Sequence, residues 1–225
     1  MTDATDNRTL HRLLAWMSPS FPVGAFTYSH GLETMVERGE VDSLETMTAW
    51  ITDVIRYGAG WTDAMLLRRS WSGDEDRKAL NGLALALSPT RERRLETAAQ
   101  GSAFLKTARE AWPWPEGGAD SLSGVTEVAS PVAVGYVARG HELALEPLLH
   151  AYLHGFAANL VSAGVRLVPL GQTDGQRALV ALEAAIEETV SGALAASTNE
   201  IGGMAIRADI ASAQHETLYS RLFRS

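Results

Sequence analysis

Apolar residues along this chain recur at the spacing of an α-helix, and runs that alternate as a half-buried strand requires are scarce. Leu44, Met47, Trp50, Ile51, Val54 and Ile55 form one such stripe. Leu149, Tyr152, Leu153, Phe156, Leu160 and Leu167 form another, and Leu179, Leu182, Ile186 and Val190 a third. Alanine is abundant and β-branched runs are scarce, which again favours helix over sheet. An all-α protein is expected, a single domain over residues 1–225 with roughly eight to ten packed helices, because domains of about this size share one core.

Turn and cap signals set the expected boundaries. A short helix carrying Leu10, Leu13, Leu14 and Met17 stops at Ser18-Pro19-Ser20-Phe21-Pro22, where two prolines remove donors. A second helix is predicted from Phe26 to Arg38, ending at Gly39. Asp42 with Glu45 reads as the next cap, and Ser88-Pro89 as the start of a long helix to Trp112. Trp112–Gly118 reads as a loop that can be mobile. Ser130-Pro131 and Glu146-Pro147 each open a helix, and Thr173 to Gln176 fits a capping box. After a loop at Asn199–Gly203, a final helix is predicted from Ala208 to Tyr219.

Composition narrows the chemistry. The 225 residues carry a formal charge of −8, and no segment is basic enough to track phosphates, so nucleic acid is not an expected partner. There is no cysteine, which removes disulfides, thiolate metal sites and a cysteine nucleophile, and fits a reducing cytoplasm. The N-terminus lacks the apolar core of a signal peptide, and no stretch reaches the ~20 apolar residues of a membrane span. A soluble cytoplasmic protein is expected.

No active site emerges from the motifs. Gly171 to Gln176 contains two glycines, but no Gly-Lys-Ser/Thr follows, so a turn and helix cap is the better reading. Nucleophile elbows and zincin motifs are absent. Glu146, His150 and His154 stand four apart on one helix face and offer a weak metal site, which the continuation of that face to Arg166 opposes. The charge cluster Arg91, Glu92, Arg93, Arg94 and Glu96 reads as a solvated face. His30 and His215 lack a second ligand at local spacing, and hydrogen bonding or partner contact is expected of each. The chain is expected to be no enzyme and to need no cofactor.

Three segments are more specific. Ser18–Glu33 reads SPSFPVGAFTYSHGLE, Asn159–Gln176 contains RLVPLGQ, and the end reads HETLYSRLFRS. In this order they resemble the urease accessory protein UreF family, with its S-P-x-L-P-x-G-x-F-x-Y-S-x-G-L-E, R-x-x-P-L-G-Q and H-E-x-x-Y-S-R-L-F-x-S patterns. Phe21 replaces a leucine, while Gln214 and Leu218 stand where arginine and glutamine are expected.

The resemblance implies an all-α homodimer that binds a UreD/UreH-like accessory protein and the GTPase UreG, and acts on apo-urease during GTP-dependent nickel insertion. It places partner contact on His215, Glu216, Tyr219, Ser220, Arg221, Leu222, Phe223 and Arg224, against the alternative of a tail that packs on its own domain. Tyr28, His30, Arg166 and Gln172 are implied at a dimer or GTPase-facing surface. For Tyr28 and His30 core packing stays open as well, and for Arg166 a plain role at the negative end of a helix. Pro22, Gly24, Pro169 and Gly171 are expected to fix turns. Two other readings are a direct nickel carrier and a GTPase activator supplying a catalytic arginine such as Arg166.

Overall fold

A computed structural model describes residues 7–113 and 121–225. Ten α-helices and one short 3₁₀ turn make up the fold among these residues: α1 Asn7–Trp16, the turn Ala25–Thr27, α2 Leu32–Glu37, α3 Leu44–Tyr57, α4 Ala59–Ser72, α5 Arg77–Ala86, α6 Arg91–Ala111, α7 Ser130–Gly140, α8 Leu145–Leu167, α9 Gln172–Ala195 and α10 Ile206–His215. No strand occurs among them, as the periodicity predicts.

The centre of the molecule is α7. Its sequence SPVAVGYVARG is apolar on every side, and Pro131 through Ala138 are all buried. Two glycines let neighbouring helices close on it. A Cβ on Gly135 would lie 2.4 Å from the Leu67 carbonyl oxygen of α4, and one on Gly101 of α6 would lie 2.1 Å from the Val128 oxygen just before α7. α4 and α6 pack on α7, while α3, α8 and α9 pack against one another and on α4, and one apolar cluster runs from Leu13 to Ala211.

Several boundaries differ from expectation, each for a local reason. The second helix begins at Leu32 rather than Phe26, because Gly24, His30 and Gly31 take left-handed conformations at φ 73°, 54° and 77°. The cap of α3 is Ser43, not Asp42: its Oγ accepts the Thr46 N–H at 3.3 Å, and Thr46 Oγ1 accepts the Ser43 N–H at 3.1 Å. Thr90 rather than Ser88-Pro89 starts α6, accepting the Arg93 N–H at 3.2 Å. At α9 the cap position is Gly171, whose N–H donates to the Asp174 carboxylate at 3.2 Å. The last helix starts at Ile206 and ends at His215, so Tyr219 lies beyond it. Trp112 packs against the core, while Trp114–Gly118 of the expected loop lie outside the described residues.

Candidate functional site

Everything after His215 runs back over the start of α2 and α6. The seat is prepared by Gly31, where a Cβ would meet the Ser212 nitrogen at 2.8 Å and Ala211 Cβ at 2.9 Å, so α10 rests directly on the α2 entry. Thr34 Oγ1 donates to the Ala211 carbonyl at 3.0 Å and fixes that crossing.

His215 closes α10 and is fully buried between two carboxylates. Its Nε2 lies 2.9 Å from Glu33 Oε2 on α2 and its Nδ1 2.7 Å from Glu92 Oε2 on α6. Glu33 also takes the tail backbone, accepting the Leu222 N–H at 2.6 Å and the Phe223 N–H at 2.9 Å. Glu92 pairs with Arg221 at 2.6 Å. Farther on, the Arg224 N–H donates to the Thr27 carbonyl at 2.8 Å, and Ser29 donates its N–H to the Ser225 oxygen at 2.8 Å. The Ser29 hydroxyl donates to that same oxygen.

These bonds sort the tail residues into two groups. His215, Phe223 and Ser225 face inward, with the Phe223 ring buried under Arg166, whose guanidinium lies 4.6 Å from the ring centroid. Glu216, Tyr219, Ser220, Arg221, Leu222 and Arg224 face outward. Tyr219 is wholly exposed and Leu222 is 67% exposed, a large apolar presentation for two neighbouring turns of chain. A shallow groove beside them is lined by Tyr28, Arg91, Leu95, Arg221 and Arg224. Gln214, at the position where the family pattern has arginine, has a buried Oε1 without a hydrogen-bond partner among the described residues.

The tail reaches a buried polar cluster that charge patterning reads as surface. Ser225 Oγ donates to Glu96 Oε2 at 3.0 Å, and Glu96 also contacts Arg93 and, at 3.0 Å, His30 Nε2. That His30 nitrogen can donate to Glu96 or accept from Arg93, not both. Burial, reinforced by the Arg93 charge, lowers the His30 pKa and favours the neutral ring. Burial alone would raise the Glu96 carboxyl, but the Arg93 charge and its other partners outweigh it and hold it at about 2. Nearby, Tyr152 donates to Asp63 at 2.8 Å, and burial pushes Asp63 up to about 6. His30 therefore faces the interior, edge-on to Phe156, and Tyr28 is buried as well.

The second segment meets the tail from the other side. Arg166, in the last turn of α8, donates to the Ser162 carbonyl at 3.1 Å and to the Phe26 carbonyl at 2.8 Å. Pro169, Gly171 and Gln172 are exposed in the turn beyond it. Pro22 and Gly24 shape the corresponding turn before Ala25, Gly24 through its positive φ of 73°.

The weak metal candidate on the α8 face is not assembled as a site. Among the described residues no three His, Asp or Glu side chains form a group that could hold a metal ion, and Glu146, His150 and His154 are no exception. The His150 ring turns instead toward Glu187 of α9, 3.6 Å away. No helix among the described residues is long and apolar enough to cross a membrane.

Glu33 and Glu92 carry no distinctive signal in the sequence, although one ends the first specific segment and the other belongs to the charge cluster. Each is a glutamate in the first turn of a helix, which reads as an ordinary dipole partner. Glu96 and Arg93 look like an exposed i,i+3 pair, and no periodicity in a charge cluster reveals which member turns inward.

Similarity to known proteins extends along the whole chain. It matches the UreF family over residues 41–183. It is 46% identical over 238 residues to the urease accessory protein UreF of Rhodopseudomonas palustris (strain BisA53), with 100% of each chain covered. It is 48% identical over 225 residues to the UreF of Bradyrhizobium sp. (strain BTAi1), covering 98% of this chain and 93% of the relative. With end-to-end similarity at nearly half identity, this chain belongs to the urease accessory protein UreF family.

Proposed function

We propose that this chain serves urease maturation as a non-enzymatic scaffold of the cytoplasm. In this reading a homodimer joins a UreD/UreH-like accessory protein to the GTPase UreG, and the assembly supports GTP-dependent nickel insertion into apo-urease. The outward face of the tail is the UreD/UreH-like docking surface, and the turn Arg166–Gln172 lies toward the second copy or the GTPase. Family membership supports the urease link.

The observation that carries the docking reading is the posture of the tail. Three inward anchors hold it, while Tyr219 and Leu222 project into solvent with Arg221 and Arg224 exposed on the same tail. Exposed aromatic and aliphatic groups beside arginines are the usual makings of an interface hot spot. A tail that served its own core alone would turn those groups inward.

A catalytic arginine is the less favoured alternative for Arg166. Its guanidinium already donates to two carbonyls and covers Phe223, so reaching a GTPase would mean giving up all three contacts.

The test is a pull-down from cells expressing the urease operon, with the full chain and with Tyr219–Ser225 deleted. The full chain is expected to recover UreD/UreH- and UreG-like proteins, and the deletion to lose the former while keeping its helical circular dichroism. Equal recovery by the deletion would overturn the tail assignment.

A further inference from the structure

Glu33 is a first-turn residue of a six-residue helix, yet it is 8% exposed and its carboxylate serves three donors at once. They are the His215 ring at 2.9 Å, the Leu222 N–H at 2.6 Å and the Phe223 N–H at 2.9 Å. A buried carboxylate needs such donors, and two successive backbone N–H groups can both reach it only if the chain wraps around its two oxygens. That wrap orients the neighbouring side chains. Leu222 and Phe223 are adjacent, and their amides are both spent on Glu33, so one side chain points outward at 67% exposure while the next is buried at 4%.

We propose that Glu33 is the positioning residue of the docking surface: by gathering the His215 ring and the two tail amides, it holds Leu222 and Tyr219 in the outward posture a protein partner reads. His215 is the relay in this device. Both its ring nitrogens face carboxylates, so it ties Glu33 to Glu92, and Glu92 in turn holds Arg221 at 2.6 Å. The inference rests on the docking reading proposed for the tail. It adds that the surface is made by a residue some 190 positions earlier in the chain, which itself touches no partner.

Hydrogen–deuterium exchange of the full chain, read on the peptide 216–225 by mass spectrometry, tests this together with affinity for the purified UreD/UreH-like protein. In Glu33→Gln one oxygen becomes an amide donor facing other donors. The tail amides are expected to exchange roughly tenfold faster or more, with partner affinity down by a similar factor, while α4 and α7 keep their protection. Unchanged tail exchange in the folded variant overturns the inference, as does loss of protection throughout, which would make Glu33 a general core residue. Glu92→Gln gives an independent arm. It frees Arg221 and one side of His215 without touching the tail amides, and is expected to accelerate tail exchange more weakly; no acceleration counts against the relay. Faster exchange with unchanged affinity also overturns the inference. If deleting Tyr219–Ser225 still abolishes binding in that case, the docking reading survives and the positioning role alone falls.

Discussion

The guanidinium of Arg166 lies 4.6 Å from the centroid of the Phe223 ring, so the last turn of α8 and the end of the chain meet in one contact. The same guanidinium donates to the Phe26 carbonyl at 2.8 Å, which brings the first of the three sequence segments into the same place. Arg166→Ala removes the cover from Phe223 and a charge-assisted hydrogen bond. It is expected to cost about 1–3 kcal/mol in urea unfolding, with Arg166→Lys recovering only part, because an ammonium lacks the planar face.

Phe223 is 4% exposed but lies beyond the last helix, on a tail expected to undock without unfolding the helices. Truncating a buried phenylalanine in a core costs about 3–5 kcal/mol, whereas here the loss is capped by the free energy of tail docking. Phe223→Ala is therefore expected to speed tryptic cleavage after Arg221 several-fold while the midpoint of thermal unfolding moves by less than about 4 °C. A large thermal shift would show instead that the tail is integral to the core.

Two buried carboxylates make opposite contributions as pH changes. Asp63 is raised by burial from 3.8 to about 6, so the folded state holds its proton more tightly than the unfolded state does. That favours folding below pH 3.8, and the benefit is lost as pH rises through 6. The rise corresponds to a cost of roughly 3 kcal/mol at neutral pH. Asp63→Asn is accordingly expected to raise stability at pH 7.5, with the difference vanishing below about pH 4.

Glu96 behaves the other way, held at about 2 against an ordinary 4.5. Its stabilisation is complete above pH 4.5 and disappears as pH falls through 2. Glu96→Gln is expected to destabilise at neutral pH, also freeing Arg93 and the Ser225 hydroxyl, and the deficit should shrink toward pH 2. Denaturant titrations of both variants across pH 2–8 check the pair of signs.

Helix packing offers a simpler test. The Cβ of an alanine at Gly101 would stand 2.1 Å from the Val128 backbone oxygen, and backbone cannot swing aside as a side-chain tip can. Gly101→Ala is expected to cost about 1–3 kcal/mol despite its better helix propensity. Gly82, with open space around the same added atom, should instead gain a few tenths to about 1 kcal/mol on substitution by alanine.

Helix identity was legible in the sequence because the apolar stripes of α3, α8 and α9 are long and regular. Boundaries were less so. His30 adopts φ 54° although it carries a Cβ, and nothing local announces that the chain will break there; the Glu96 and Arg93 contacts of its ring hold it. The three segments, far apart in sequence, converge in the fold at Phe26, Arg166 and Phe223. Which tail residues face inward was not legible. Phe223 and Leu222 are adjacent and similarly apolar, and both donate their amides to Glu33, a residue remote in sequence.

In the proposed scaffold the outward tail residues carry partner binding, while the inward ones carry posture. Titration calorimetry of the UreD/UreH-like protein against the full chain and against a Tyr219→Ala, Leu222→Ala double variant separates the two roles. Both side chains are exposed, so the variant should keep the unfolding midpoint of the parent. Loss of two hot-spot side chains is expected to weaken binding by roughly 100-fold or more. Unchanged affinity in a variant of unchanged stability would refute this division of labour.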